Sequence, residues 1–294
     1  MAKTREINEE VKAEGSKPII GRILSYTFLA FITVLCLFAF YMLIINATRS
    51  NAQLQAGFEV FPRENFFNNF KKAWNDESIP SIPRALLNSF TVAGLSSLLC
   101  TYCSALTAYG IHVYDFKLKK PAFTFIMVIM TIPTQVSAVG FIQLLYKIDL
   151  MDNYAPLIIP SIAAPAVFFY MKQYIESVLP LEVIEAARVD GSNEFRTFNT
   201  IALPMLRPAM AVQLIFSFVS SWNNLFTPNL ILSTQSKLTV PVVLSLLRSK
   251  MNSQMGDLGE IYMIILLSII PVVIVYFFVS KNIIQGVTLG SVKG

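Results

Sequence analysis

Few residues of this 294-residue chain belong to the types that catalyse reactions. The chain has one histidine, His112, and three cysteines, of which Cys100 and Cys103 form a C-x-x-C pair. No second histidine and no further cysteine lies near that pair, so we interpret both cysteines as small buried hydrophobes. The sequence contains no G-x-x-x-x-G-K-[ST] phosphate loop. We therefore expect no catalytic residue, no metal site and no bound cofactor on this chain.

The polar residues at the centre of long apolar stretches are amides, hydroxyls and one indole. The candidate pathway residues are Gln135, Gln213, Ser217, Ser220, Ser221, Trp222, Asn223 and Asn224. Five of them, spaced by 4, 3, 1 and 3 residues from Gln213 to Asn224, fall on one helical face and form a polar stripe. Uncharged amides beside an aromatic ring suit a sugar, because its hydroxyls need paired donors and acceptors.

The alternative is that these groups are hydrogen-bonding contacts between helices, worth about 0.6–2 kcal/mol each. For a single residue we weigh this reading at least equally with the first. For the stripe as a whole we favour the lining of a pathway.

The charge distribution predicts a membrane-spanning scaffold for these groups. Only 14% of the residues are charged, against about 25% in soluble domains. Six stretches without Asp, Glu, Lys or Arg are each long enough to cross a bilayer as a helix, and their polarity does not alternate as in a barrel strand. We predict an all-α polytopic protein with six transmembrane helices, at about 23–45, 85–111, 121–146, 154–174, 208–232 and 261–281.

The positive charges predict the orientation of these spans. Of the 23 Lys and Arg residues, 14 lie in the two tails and in the loops after the second and fourth spans. The positive-inside rule then makes both termini cytoplasmic. We divide the chain into an N-terminal tail, 1–22, a six-helix domain, 23–284, and a C-terminal tail, 285–294. The net charge of +5 reflects orientation, and we expect no nucleic-acid partner.

Two loops on the other side carry apolar patterns of their own. Phe66, Phe67, Phe70, Ala73 and Trp74 repeat at helical spacing. They predict a short amphipathic helix that lies on the outer membrane face or against another subunit. For the loop at 237–260 we predict a re-entrant or scoop-like element that could contact an external partner.

The loop at 177–206, between spans four and five, predicts two short helices. Pro180 suits the start of the first helix, Gly191 suits the hinge, and Ser192 can cap the second. Neither helix has enough apolar surface to be stable alone in water, so the pair must dock on something. The alternative is a helix pair on the bilayer surface, with Glu185 paired to Arg188.

This loop carries a resemblance to a known family. EAARVDG, followed twelve residues after Gly191 by Leu203 and Pro204, resembles the EAA signature of the membrane permeases of binding-protein-dependent ABC importers. Together with IPTQV, SWNNLFTP and the terminal GSVKG, the wider pattern is similar to the MalG-type carbohydrate branch. The resemblance covers roughly residues 20–294.

The resemblance implies roles for particular residues. The positions that couple the permease to its ATPase would be Glu185, Ala186, Ala187, Asp190, Gly191, Leu203 and Pro204. The tail residues that contact the ATPase would be Gly290, Ser291, Val292, Lys293 and Gly294. For the tail, a solvated and frayed end is the competing interpretation.

The resemblance also implies an assembly in a bacterial or archaeal cytoplasmic membrane. This chain would be embedded in the membrane lipids beside a second, MalF-like permease. The complex would also contain two ATPase subunits that bind ATP and Mg, and it would interact with an external solute-binding protein. This chain would form half of the pathway for a carbohydrate, in particular an oligosaccharide. The alternatives are an importer for a non-sugar solute and a self-contained secondary transporter, although the intramembrane acid expected of the latter is missing.

Overall fold

Long apolar helices make up most of the computed structural model, which describes residues 19–77, 79–252 and 256–290. Five segments are long and apolar enough to cross a membrane: Gly21–Ala47, Ile82–Val113, Ala155–Val178, Glu194–Trp222 and Leu258–Ser280. A pair of shorter helices, Lys119–Met130 and Gln135–Lys147, is bent by 99° at a short break. The described residues therefore carry five spans, or six if the bent pair counts as one.

Fourteen α-helices can be numbered along the described residues. They are α1 (Ile19–Ala47), α2 (Asn51–Gln55), α3 (Phe66–Asn75), α4 (Ile82–Val113), α5 (Lys119–Met130), α6 (Thr134–Lys147), α7 (Ala155–Ile158), α8 (Pro165–Val178), α9 (Leu181–Val189), α10 (Glu194–Thr197), α11 (Leu203–Trp222), α12 (Phe226–Ile231), α13 (Val240–Asn252) and α14 (Leu258–Gly290). A 3₁₀ turn, Ile159–Ile162, joins α7 to α8, and a π-helical turn, Phe198–Ala202, joins α10 to α11.

Helix α4 is the centre of the bundle and packs against α8 and α11. Its buried face consists largely of small residues: Ala85, Ser89, Ala93, Ser96, Ser97, Cys100, Thr101, Ser104, Ala105 and Ala108. Lipid supplies no hydrophobic drive between helices, so small side chains that allow close backbone approach favour this packing. Helix α1, by contrast, packs on α14 and leaves most of its surface exposed.

The bundle has two ends with separate cores. The loop-rich end comprises residues 46–77, 79–84, 148–154, 232–252 and 256–260, and its core includes Ile82, Val243 and Met263. The α9 end comprises residues 113–118 and 179–197, and packs on a core that includes Ile184 and Phe198. A helix that crosses the bundle, such as α4, connects the two ends.

Both loop elements predicted for the loop-rich end are helices that pack on their own chain. In α3, Asn69 and Ala73 are buried, Phe70 packs against the core, and Phe67 is exposed. Helix α3 contacts α14, and Lys72 Nζ lies 2.7 Å from Oδ2 of Asp257, the residue that precedes α14. The segment predicted to be re-entrant or scoop-like forms α13, which buries Val240, Val242, Val243 and Leu247. The apolar faces of these segments are therefore at least partly used within the chain.

The ends of two spans differ from the sequence-based boundaries. The fifth was placed at 208–232, but the helical segment runs over Glu194–Trp222. Arg196 and Arg207 lie on this helix, because a charge-free stretch marks the apolar part of a helix and not its ends. The third was predicted as one helix over 121–146, yet it breaks before Pro133, which has no N–H to donate within a helix.

Candidate functional site

A cavity of about 480 Å³ lies between α4, the α7–α8 segment and α11. It is lined by Ser96, Cys100, Leu157, Ser161, Ala164, Ala166, Val167, Gln213, Phe216, Ser217, Ser220, Ser221 and Asn224. All five members of the polar stripe, from Gln213 to Asn224, are in this lining. The polar groups of the lining side chains are hydroxyls, amides and one thiol.

Several lining side chains have hydrogen-bonding capacity to spare. Cys100 Sγ lies 3.4 Å from Ser217 Oγ, and Asn224 Oδ1 accepts a bond from the Thr227 N–H at 3.3 Å. The described residues provide no side-chain hydrogen bond for Gln213, Ser220 or Ser221. These groups can therefore bind a hydroxyl-bearing ligand without breaking an internal contact.

Three candidate pathway residues lie outside this cavity. Trp222 is only 4% exposed and stacks on Phe218, with ring centroids 5.6 Å apart. Asn223 is exposed at the end of α11. Gln135 is exposed on α6 and is not among the lining residues. The aromatic residue that does line the cavity is Phe216.

A second cavity of about 600 Å³ adjoins the first between the bent pair α5–α6, the α7–α8 segment and α12. The two linings share Leu157, Ala166 and Asn224. The side chains particular to the second cavity are mostly apolar, with Ser137 and Thr227 as exceptions. Asn224 thus lies where a polar chamber meets a mainly apolar one.

The sequence analysis did not identify three polar residues of the first cavity. Ser96 and Cys100 lie one helical turn apart on α4, and the Ser96 hydroxyl donates to the Leu157 carbonyl at 3.3 Å. Cys100 is buried, as interpreted, but its thiol also reaches the cavity. The regular spacing of serines on α4 could have indicated this wall. No periodic pattern marks Ser161, which lies in a 3₁₀ turn.

Helix α9 contains the EAA residues. One of its faces packs on the bundle and the opposite face is exposed. Ile184 and Ala187 are buried. Glu185 and Ala186 are exposed, and Val189 is 88% exposed. The inward face anchors α9 on the bundle, while the outward face presents apolar surface and the carboxylates of Glu182 and Glu185.

The turn after α9 has the predicted hinge but a different cap. Gly191 has φ +77°, a left-handed conformation that residues with a Cβ adopt at a cost. Its N–H donates to the Arg188 carbonyl at 3.0 Å. Asn193, not Ser192, caps α10, because its Oδ1 accepts the Arg196 N–H at 2.8 Å. The turn is thus one residue longer than predicted.

An ion pair closes this turn. Arg188 Nε lies 2.6 Å from Glu194 Oε1, and the hydrogen bond to Glu194 raises the pKa of Arg188. Tyr109 of α4 donates its hydroxyl to Glu194 Oε2 at 3.3 Å, and the Arg188 guanidinium lies 5.5 Å from the Tyr114 ring centroid. Arg188 therefore pairs with Glu194 and not with Glu185.

The remaining coupling and tail positions lie at helix ends. Asp190 ends α9, with its N–H bonded to the Ala186 carbonyl at 3.0 Å. Leu203 and Pro204 begin α11 and are half-buried. Gly290 is the last residue of α14, and Ser291, Val292, Lys293 and Gly294 lie outside the described residues.

Known proteins are similar to this chain in sequence. The chain is 30% identical over 280 residues to the arabinooligosaccharides transport system permease protein AraQ of Bacillus subtilis (strain 168), covering 94% of this chain and 97% of that protein. It is 27% identical over 273 residues to the lactose transport system permease protein LacG of Rhizobium radiobacter, covering 92% and 96%.

A solved structure has the same architecture. The crystal structure of a bacterial ABC transporter involved in the import of the acidic polysaccharide alginate matches with a TM-score of 0.74 and 20% identity, covering 90% of this chain and 97% of that chain. At this identity the likeness establishes the fold alone. Residues 101–289 match the model of a protein family described as the binding-protein-dependent transport system inner membrane component. This match confirms the resemblance drawn from EAARVDG, and the chain belongs to that family.

Proposed function

We propose that this chain is one of two permease subunits of an ATP-driven oligosaccharide importer and that α9 couples it to an ATPase. The observation that carries the proposal is the outward face of α9, which exposes Glu185, Ala186 and Val189 while Ile184 anchors the helix. An exposed apolar face on a short helix is typical of a surface completed by a partner.

The partners follow from the family. ATP and Mg bind to two ATPase subunits at the α9 end, which is cytoplasmic, and a solute-binding protein docks at the loop-rich end. Both termini are cytoplasmic. The tail residues 290–294 reach the ATPases in this proposal, and Leu203 and Pro204 carry movement of α9 into α11.

The cavity supports the choice of an oligosaccharide. Gln213, Ser220 and Ser221 offer unused donors and acceptors, and Phe216 offers a ring for the C–H face of a sugar. The named substrates of the relatives AraQ and LacG are saccharides, which agrees with this chemistry. The wall of the first cavity does not include Trp222, Asn223 or Gln135, and the proposal gives these residues no contact with the sugar.

A matched pair of substitutions on α9 tests the coupling role. Glu185 and Glu182 are both exposed and lie one turn apart on α9. In proteoliposomes that contain the co-purified complex, we expect Glu185→Ala to reduce ATP-dependent uptake at least tenfold and Glu182→Ala to change it less than twofold. Because Glu182 is also on the exposed side of α9, equal effects of the two changes would contradict a specific role for Glu185.

Co-purification tests the assembly itself. The tagged chain, solubilised in mild detergent, should retain a second permease and an ATPase with a phosphate loop at stoichiometric ratio, as identified by mass spectrometry. Recovery of a lone chain that transports solute in liposomes without ATP would instead establish a secondary transporter.

A further inference from the structure

The charge of the cavity lining distinguishes two regions of the molecule. Among the residues that the structure describes, those that line the two adjoining cavities include no Asp, Glu, Lys, Arg or His. A third cavity, of about 870 Å³ at the loop-rich end, is lined by asparagines together with Lys71, Lys72, Asp76, Asp257 and Glu260. Charged side chains therefore line the cavity at the loop-rich end, whereas the described lining of the two adjoining cavities is uncharged.

We propose that the two adjoining cavities take a neutral oligosaccharide and reject acidic saccharides and phosphorylated solutes. The inference rests on the proposed function and deepens it, because it names the chemical class of the cargo. The fold alone does not decide this point, since a transporter with the same fold imports the acidic polysaccharide alginate.

The physical reason is the cost of removing a charge from water. A carboxylate or phosphate that enters the cavity loses hydration and finds no cationic side chain in either lining to replace it. A sugar hydroxyl exchanges water for the amides and hydroxyls of Gln213, Ser217, Ser220, Ser221 and Asn224, each of which can donate and accept. The lining therefore favours the neutral ligand through its polar groups and disfavours the charged one through desolvation.

The size and junction of the cavities suit a chain of several sugar units. Their volumes of about 480 and 600 Å³ lie within the range of small-molecule sites. Asn224 lines both cavities. Its Oδ1 accepts from the Thr227 N–H, which leaves its two N–H donors for a ligand. Phe216, which is 65% exposed, offers an aromatic surface in the first cavity.

Equilibrium binding to the whole complex tests this selectivity. The complex is placed in lipid nanodiscs without the solute-binding protein, so that the selectivity of that protein does not enter the measurement. The neutral probes are radiolabelled arabinotriose, raffinose and maltotriose, and the acidic probe is trigalacturonate. We expect at least one neutral trisaccharide to bind at least tenfold more tightly than trigalacturonate.

A matched pair of lysine substitutions assigns the selectivity to the cavity. Ser220 lines the first cavity and is exposed to it, whereas Asn229 is exposed on α12 outside both linings. Ser220→Lys should tighten trigalacturonate binding at least tenfold, because the ammonium group replaces lost hydration, while Asn229→Lys should change it less than twofold.

Two outcomes would overturn the proposal. One is that no neutral trisaccharide binds wild type better than trigalacturonate, and the other is that the two lysine variants behave alike. ATP-dependent uptake of the neutral trisaccharides in proteoliposomes separates this failure from that of the proposed function. If uptake is observed but selectivity is absent, the importer assignment stands and only the inference about charge is wrong.

Discussion

At the loop-rich end, clusters of hydrogen bonds around single polar side chains join segments that are far apart in the sequence. The α9 end is held mainly by apolar contacts, together with one partly exposed ion pair and single hydrogen bonds from Tyr109 and His112 of α4 to Glu194 and to the Leu179 carbonyl. Asp152 accepts the N–H groups of Ser233 and Thr234 at 2.9 and 3.0 Å and also lies 3.0 Å from Lys237 Nζ. These bonds fix the loop after α6 to the loop before α13.

A second tie at the same end joins the segment after α1 to α3. Asn69 is buried and donates from Nδ2 to the carbonyls of Ala47 and Arg49, at 2.8 and 2.9 Å. Arg49 is itself buried and donates to the Gly57 carbonyl at 2.7 Å. The buried Asn69 amide, whose donors are satisfied in this way, favours one arrangement of the chain.

The α9 end has a different character. Arg188 and Glu194 are both partly exposed, and Val189 and Phe195 present apolar surface outward. The comparison indicates that the loop-rich end has much of its stabilising contact within this chain. The α9 end exposes apolar side chains, which the proposed coupling to an ATPase would use.

The largest loss of stability should come from adding one methyl group at the loop-rich end. A Cβ at Gly259 would lie 2.6 Å from the Arg49 carbonyl oxygen and 2.8 Å from Asn69 Nδ2. Because backbone cannot yield as a side-chain tip does, we expect Gly259→Ala to cost about 1–3 kcal/mol and to lower the thermal midpoint of the purified complex. Gly140→Ala is the control, since nothing lies within 4 Å of its Cβ position. Equal midpoints for the two variants would show that this end yields more readily than the contacts indicate.

A smaller loss is expected when the carboxylate tie is removed. Asp152→Ala deletes hydrogen bonds to a charged but partly exposed acceptor and should cost about 1.5 kcal/mol. Asp149 is the matched control, because both residues have positive φ, 54° and 53°, and the Asp149 side chain makes no hydrogen bond in the described residues. The difference between the midpoints of the two alanine variants therefore reports the bonds and not the backbone conformation.

The pH dependence of that difference has a definite sign. Hydrogen bonds from Thr234 and Ser233 lower the pKa of Asp152 below its usual value. A lowered carboxyl pKa stabilises the fold above the unfolded pKa, about 3.9, and this contribution decreases as the pH falls towards the folded value. The difference between the thermal midpoints of the Asp152→Ala and Asp149→Ala variants should be constant from pH 8 to pH 5 and shrink only below about pH 4. A difference that shrinks between pH 8 and pH 6 would contradict the tie.

Much of this architecture could be predicted because lipid restricts the chain to helices. The uncharged stretches predicted where apolar helices lie, and the spacing from Gln213 to Asn224 predicted the face that lines the cavity. The glycine at position 191 indicated the turn after α9, because glycine readily adopts the positive φ that this residue has in the structure.

Features that depend on contacts distant in sequence could not be predicted in the same way. Trp222 lies next to the stripe but turns towards Phe218, a choice made by packing with α4 and not by spacing. Pro133 indicates a break but carries no information about the 99° bend. The partner of Arg188 depends on how the turn closes, so the local rule that favours Glu185 over Glu194 was misleading.

Of the changes considered, removal of the Arg188–Glu194 ion pair should have the smallest effect on stability. Its effect on transport should be larger. Side-chain exposures of 38% and 41% limit its contribution to under about 1 kcal/mol. Lys172 and Glu176 on α8 form a comparison pair at 2.7 Å that lies within one helix. Double-mutant cycles with Lys→Gln or Arg→Gln and Glu→Gln should give coupling energies for stability under about 1 kcal/mol at both pairs.

Uptake separates the two pairs, because only one of them crosses a hinge. Arg188–Glu194 joins α9 to α10 across Gly191, and the Tyr109 hydroxyl on Glu194 extends the connection to α4. If the turn yields when α9 moves, less of that movement reaches α4 and α11. Breaking the Arg188–Glu194 pair should therefore reduce ATP-dependent uptake several-fold, whereas breaking the Lys172–Glu176 pair on α8 should leave uptake unchanged. Equal uptake in both cycles would mean that α9 transmits movement through the buried contacts of Ile184 and Ala187, and that the ion pair only shapes the turn.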